Sequence, residues 1–248
     1  MRNPALRKTV LGLAATVTSI AASAQATGSH VTGDVGAALY RTPAITRTAG
    51  RSNVVLPYIY AEAGRFYGRV DTFGYEALPI GMGHLELAAR VSFEGFAPAN
   101  AAFDKRSTPL PIGIGTFQET PFGAFILYGF HDLESGGTLL DVSYAAELGK
   151  GTLHVYPQVG FERRSATYVR HLYGVSTPEA ARAATTAYAP GASVSPNAAI
   201  AVDYAFAPTL KLTGQVRRRW LDTSITGSPL VNARTQTSAL IALTRTFR

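Results

Sequence analysis

The sequence predicts an all-β protein: a closed antiparallel transmembrane β-barrel of about twelve strands, ten being the alternative, with a short helix in one long external loop. Three observations carry this. The first is Pro208 to Leu221, PTLKLTGQVRRRWL, where Lys211, Thr213, Gln215, Arg217 and Arg219 alternate with Leu210, Leu212, Gly214, Val216 and Trp220. Period 2 over so long a stretch marks a strand with one polar and one apolar face. The second is composition. The chain is 46% hydrophobic and only 16% charged, against roughly 25% charged in a soluble domain. Yet no apolar run reaches the ~20 residues of a membrane helix. The third is the rough alternation of short and long polar connections, the pattern of a barrel with short inner turns and long outer loops.

The first residues read as a cleaved Sec signal, residues 1–26. Arg2, Arg7 and Lys8 are its basic region, Val10 to Ala22 its apolar region, and Ala24-Gln25-Ala26 an A-x-A cleavage site. Residues 27–248 then form the barrel, placed by this address in the outer membrane of a Gram-negative bacterium. The net charge of +7 includes three leader charges, so the exported part is modestly basic and gives no argument for nucleic acid as a partner. There are no cysteines, which excludes thiol catalysis and Cys-held metal.

The strands follow in order. Val31 to Tyr40 reads as the first, then a polar loop to Ser52. Asn53 to Glu62 is the second, with Pro57 requiring a bulge or an unpaired edge. Arg65 to Phe73 alternates Phe66, Gly68 and Val70 against Tyr67, Arg69 and Asp71. Glu76 to Gly83 is irregular, and His84 to Glu94 is a clean strand. A long polar segment leads to Pro111–Gln118, then Phe122–His131, Thr138–Leu148 and a long strand Thr152–Arg170. Leu172 to Pro196 reads as the longest loop, where Ser176, Pro178 and Glu179 form a capping box for a short helix. Asn197–Phe206, Thr209–Leu221 and Arg234–Phe247 complete the set. That makes eleven. Strand direction is consistent from each terminus except over Gly74–Gly83, so a reversal is expected there, and the count becomes twelve.

Alternation turns Arg69, Asp71, Glu86, Arg90, Glu94, Asp141, Glu147, Glu162, Arg164, Asp203, Lys211, Arg217 and Arg219 inward. Two readings follow: a neutralising ion-pair network that fills a narrow barrel, or a water-filled pore with charged walls. The first is preferred, since small barrels are filled by side chains. Arg218 turns outward beside Trp220, at headgroup level, within reach of lipid or lipopolysaccharide phosphates. Catalysis finds little support. His84, His131, His154 and His171 are candidate bases near Asp132, Ser135 or Ser165, but no G-x-S-x-G or H-E-x-x-H occurs. No cofactor and no metal are expected.

Several segments resemble the MipA/OmpV family of outer-membrane proteins. Tyr173-Gly174-Val175-Ser176-Thr177-Pro178-Glu179-Ala180-Ala181, followed by Tyr188, is similar to that family's loop motif. Val55-Leu56-Pro57-Tyr58, Gly64-Arg65-Phe66-Tyr67, Phe73-Gly74-Tyr75, Ser228-Pro229-Leu230-Val231 and the strand Leu240–Phe247 resemble its other segments. Arg245 and Arg248 depart from the aromatic ending that the barrel-assembly machinery reads. The resemblance implies a non-enzymatic barrel and an envelope scaffold holding a lytic transglycosylase and a murein synthase. A small passive channel is the alternative. The expected orientation puts the helical loop outside the cell. A periplasmic partner would then meet the short turns, Thr27–Gly33 or the barrel end.

Overall fold

The computed structural model describes residues 30–46, 52–98 and 100–248; the expected signal lies outside them. One antiparallel sheet contains β1 (Val31–Thr42), β2 (Ser52–Ala63), β3 (Phe66–Arg69), β4 (Thr72–Ile80), β5 (Gly83–Arg90), β6 (Pro111–Thr120), β7 (Gly123–Asp132), β8 (Thr138–Ala146), β9 (Leu148–Lys150), β10 (Leu153–Arg164), β11 (Ser193–Ala207), β12 (Leu210–Trp220) and β13 (Thr235–Phe247). Both β8 and β9 pair with β10 and are one strand interrupted at Glu147. The wall therefore has twelve strands. It closes where β13 pairs with β1, from Gly33 opposite Phe247 to Arg41 opposite Ala239. Closure leaves no free sheet edge around most of the ring, the condition for a sheet to stand in lipid.

The period-2 pattern sorts side chains as a membrane barrel requires. Leu39, Val55, Ile114, Leu127, Val159, Ile200, Val216 and Ile241 are exposed on the outside. Ala38, Tyr58, Glu86, Tyr128, Thr213 and Ala242 are buried inside.

The hidden reversal is the strand β4. What reads in sequence as one strand from Arg65 to Phe73 is broken at Val70–Asp71, and a second tight turn at Gly81–Met82 leads into β5. The signal was weak because Val70 sits at a turn with φ +62°, a conformation a β-branched residue rarely adopts. The short β3 leaves a notch. It pairs only with Tyr60–Ala63 of β2, and the Val70 N–H reaches Ile59 O at 2.8 Å. From Asn53 to Tyr58, β2 pairs with β1 alone among the described residues. Pro57 lies on this open edge, where a residue without an N–H does no harm.

Two further corrections concern the outer connections. The strand expected to run to Arg170 ends at Arg164. Residues Ala166–Tyr173 form a helix, α1, and α2 (Thr177–Ala183) and α3 (Thr223–Thr226) bring the helices among the described residues to three where one was expected. The Ser165 hydroxyl accepts from the Tyr168 N–H to cap α1, and Tyr168, Val169, Leu172 and Tyr173 form one buried stripe. That stripe packs on Ile45, Leu139, Ile225 and Val231, which places α1 over the outer mouth. Each fully buried apolar side chain of this kind contributes roughly 1.5–3 kcal/mol. Finally, Ser193–Pro196 belongs to β11 rather than to the loop; Pro196 precedes the first β12 pair, Asn197 opposite Arg219.

Candidate functional site

The lumen is built from inward side chains at four levels. At the end of the short turns, Lys211 lies between Asp34 and Asp203, 2.6 Å from the latter. Thr213 and Thr246 donate their hydroxyls to Asp203 and Asp34, each at 2.7 Å. Asp34 escaped the sequence reading, although a charge inside a period-2 strand was its signal.

The second level joins Arg69 and Glu86. The guanidinium is 2.9 Å from the carboxylate, and the Tyr128 hydroxyl bridges the two: it gives its hydrogen to Glu86 at 2.5 Å and accepts from Arg69 at 2.9 Å. Arg69 also stacks 4.1 Å from the Tyr67 ring centre and 4.3 Å from that of Phe117. Both tyrosines lie flat on glycines. A Cβ on Gly115 would stand 2.0 Å from the Tyr128 ring, and one on Gly74 2.5 Å from the Tyr67 hydroxyl. Counting only charges in the sequence missed Tyr67 and Tyr128, and glycine-for-tyrosine packing between strands has no short-range sequence signal.

Arg90 and Asp141 form the third level, 2.7 Å apart, with Arg90 also on Thr72 and over the Phe130 ring. The fourth is a square of two arginines and two carboxylates. Arg164 contacts Glu94 and Glu162 at 2.8 Å each, and Arg219 contacts the same pair at 3.1 and 2.7 Å. Each charge is opposed, which is what makes such buried groups tolerable.

Between the third and fourth levels and the helical cap lies a cavity of about 670 Å³. Four arginines (Arg90, Arg164, Arg217 and Arg219) and three carboxylates (Asp71, Glu94 and Glu162) line it, with Tyr40, Ile45, Phe93 and Phe96 among its apolar lining. Arg217 and Asp71 lack a charged partner at contact distance, although Asp71 acts on the neighbouring Arg90. Neither has an ion pair among the described residues. The buried Nε of Arg217 has no hydrogen-bond partner, as is true of Nε and Nη1 of Arg164, and the Asp71 carboxylate accepts the Thr72 hydroxyl at 2.9 Å.

The loop-motif residues staple the cap. Ser176 and Glu179 form the capping box of α2, with Thr177 and Pro178 in its first turn. Arg106 reaches Glu179 and Gly174 O at 2.8 Å each, which ties in the segment after β5. Val175 pairs with Tyr188, Ala180 packs on Leu230, and the Ser228 hydroxyl donates to Tyr173 O at 2.6 Å. Ala181 is exposed. Burial disfavours the Glu179 charge, yet N–H groups of Ser176 and Asp104, the Ser176 hydroxyl and Arg106 hold its carboxyl down at about 2.

The candidate bases do not assemble. His131 is exposed, whereas Asp132 is fully buried and accepts from the Leu110 N–H and from the N–H and hydroxyl of Ser135. His171 contacts Ser107, and His154 contacts Glu147. Among the described residues, no three His, Asp or Glu side chains converge to hold a metal.

Comparison with known proteins gives a family model, described as MltA-interacting protein MipA, that matches residues 35–247. The MltA-interacting proteins of Escherichia coli (strain K12) and Shigella flexneri are each 28% identical over 131 residues, 52% of this chain and 53% of theirs. The chain thus matches about half the length of these relatives. Among solved structures, Neisserial surface protein A is similar with 12% identity and a TM-score of 0.28, over 89% of this chain and 97% of that one.

Proposed function

This chain belongs to the MipA family, and from that premise we propose that it is a non-enzymatic outer-membrane barrel that organises the envelope by holding a murein-cleaving lytic transglycosylase. The relatives are named for such an interaction. The observation that carries the reading is the lumen itself. Ion pairs occupy it at four levels, from Lys211 to Arg219, and α1 packs over the outer mouth. Side chains that fill a barrel suit an anchoring role better than conduction, which needs a continuous water path. The short-turn end offers contacts for a partner on that side: Phe122 and Met82 stand exposed at two turn tips.

The test uses the full chain purified in a non-ionic detergent and immobilised. A purified transglycosylase of the MltA type is expected to be retained, and retention is expected to fall for Phe122→Ser with Met82→Ser. Planar-bilayer recording of the same material is expected to be silent. Discrete open steps with no retention would replace the scaffold by a passive channel.

A further inference from the structure

The outer half of the barrel holds a site that the scaffold reading does not use. The cavity lining is mixed: arginines reach it from β5, β10 and β12, and Tyr40 and Phe93, with ring centres 6.3 Å apart, add an aromatic pair. Its volume lies within the range of small-ligand pockets, roughly 300–1,000 Å³. Arg217 is the cavity arginine whose charge no carboxylate neutralises at contact distance; Asp141 and Glu162 act on it only at longer range. Its Nε is buried and unpaired.

The notch beside β2 gives this cavity a second meaning. Residues Asn53–Tyr58 of β2 lack a partner on the β3 side among the described residues. Val55 lies in that stretch, exposed outward, and shares a row with Leu39 and Ile241 of the apolar belt. The open edge is therefore at the level of the hydrocarbon, where unsatisfied backbone groups cost several kcal/mol each. None of these β2 residues lines the cavity, and the notch approaches it through the turn after β3. The turn that ends the notch places Asp71 on the cavity wall.

We infer that the cavity binds an amphipathic organic anion, its single carboxylate or phosphate on Arg217 and its apolar body against the Tyr40–Phe93 pair. Asp71 sets the selectivity: its negative charge on the same wall weakens the anion's binding and disfavours a doubly charged head. The two charges thus act in opposite directions, which a merely structural role for either would not produce.

The experiment is titration of the full chain, folded in an uncharged maltoside detergent, with a fluorescent long-chain carboxylic acid, and separately with the matching alcohol. The acid is expected to bind and the alcohol to bind much more weakly. Arg217→Gln is expected to weaken the acid by about tenfold to a hundredfold, the range for a hydrogen bond to a charged group. Asp71→Asn is expected to tighten it by roughly threefold or more. Heat-modifiable gel migration confirms that both variants are folded; should Arg217→Gln fail this check, Arg217→Lys replaces it, with weakening again expected. In lipid nanodiscs, displacement of the probe by anionic phospholipid assigns the ligand to the membrane; displacement only by a short water-soluble carboxylate assigns it to the solution. Equal binding of acid and alcohol, or the same acid affinity in wild type and both variants, overturns the inference.

Discussion

The Tyr128 hydroxyl gives its hydrogen to Glu86 at 2.5 Å, reaching from β7 over β6 to β5. The contact exists because Gly115 of β6 leaves room for the ring, and because Glu86 is fully buried and already paired with Arg69.

Removing that carboxylate leaves the Arg69 guanidinium only the more distant Glu62 and Glu76, at 4.0 and 3.9 Å. Glu86→Ala is expected to destabilise the fold by about 3–5 kcal/mol, the range for breaking one partner out of a buried pair. Replacing both Glu86 and Arg69 with Met is expected to cost less than the single change, since the buried carboxylate and the guanidinium at contact distance are then removed together. Urea unfolding followed by heat-modifiable migration measures both. A double variant no more stable than Glu86→Ala would show that the pair itself, rather than the orphaned charge, dominates.

Gly115 and Gly129 make a matched pair of substitutions. A Cβ at Gly115 would lie 2.0 Å from the Tyr128 ring, while Gly129 has nothing within 4 Å. Gly115→Ala is expected to cost roughly 1–3 kcal/mol by overpacking. Gly129→Ala is expected to be neutral or slightly stabilising. Equal effects in unfolding would remove the packing role assigned to Gly115.

The cap has an acid limit set by Glu179. Its carboxyl is lowered from the ordinary 4.5 to about 2 in the folded cap. A depressed folded-state value means that the stabilisation is present above the unfolded value and is lost as pH falls through the folded one. Hydrogen exchange in residues 166–190 is therefore expected to rise between pH 4.5 and 2, ahead of exchange in the strands. Glu179→Gln is expected to show fast exchange at neutral pH and to flatten that dependence. Ser176→Ala is expected to cost about 1 kcal/mol locally through the lost cap.

Val70 stores backbone strain, with φ +62° at the tip of the β3–β4 turn. Val70→Gly is expected to stabilise the barrel by about 1 kcal/mol, since glycine adopts that region without a Cβ clash. A loss of stability in urea would mean that the Val70 side chain contributes more than the strain takes away.

The sequence by itself determined the architecture. Period-2 alternation in segments such as Leu210–Trp220 decides which face meets lipid, and the conflict of strand directions over Gly74–Gly83 required the extra strand that β4 supplies. The capping box of α2 was legible because Ser176, Pro178 and Glu179 act within one helical turn. The inward set was legible as a set for the same local reason. Only the tertiary structure decided the pairing. Arg69 with Glu86, Arg90 with Asp141, and the square of Arg164, Arg219, Glu94 and Glu162 join different strands and loops, and one pair, Arg219 with Glu94, is more than a hundred positions apart. Which inward charge meets which depends on strand register and barrel closure, and alternation fixes neither. The same holds for what was left over. Arg217 and Asp71 look like any other inward charge in the sequence, and they face an unfilled cavity because their neighbours' partners come from elsewhere in the ring. Helix α1 was hidden for a related reason: Tyr168 and Val169 favour strands locally, and burial of one stripe against Ile45, Ile225 and Val231 outweighs that preference.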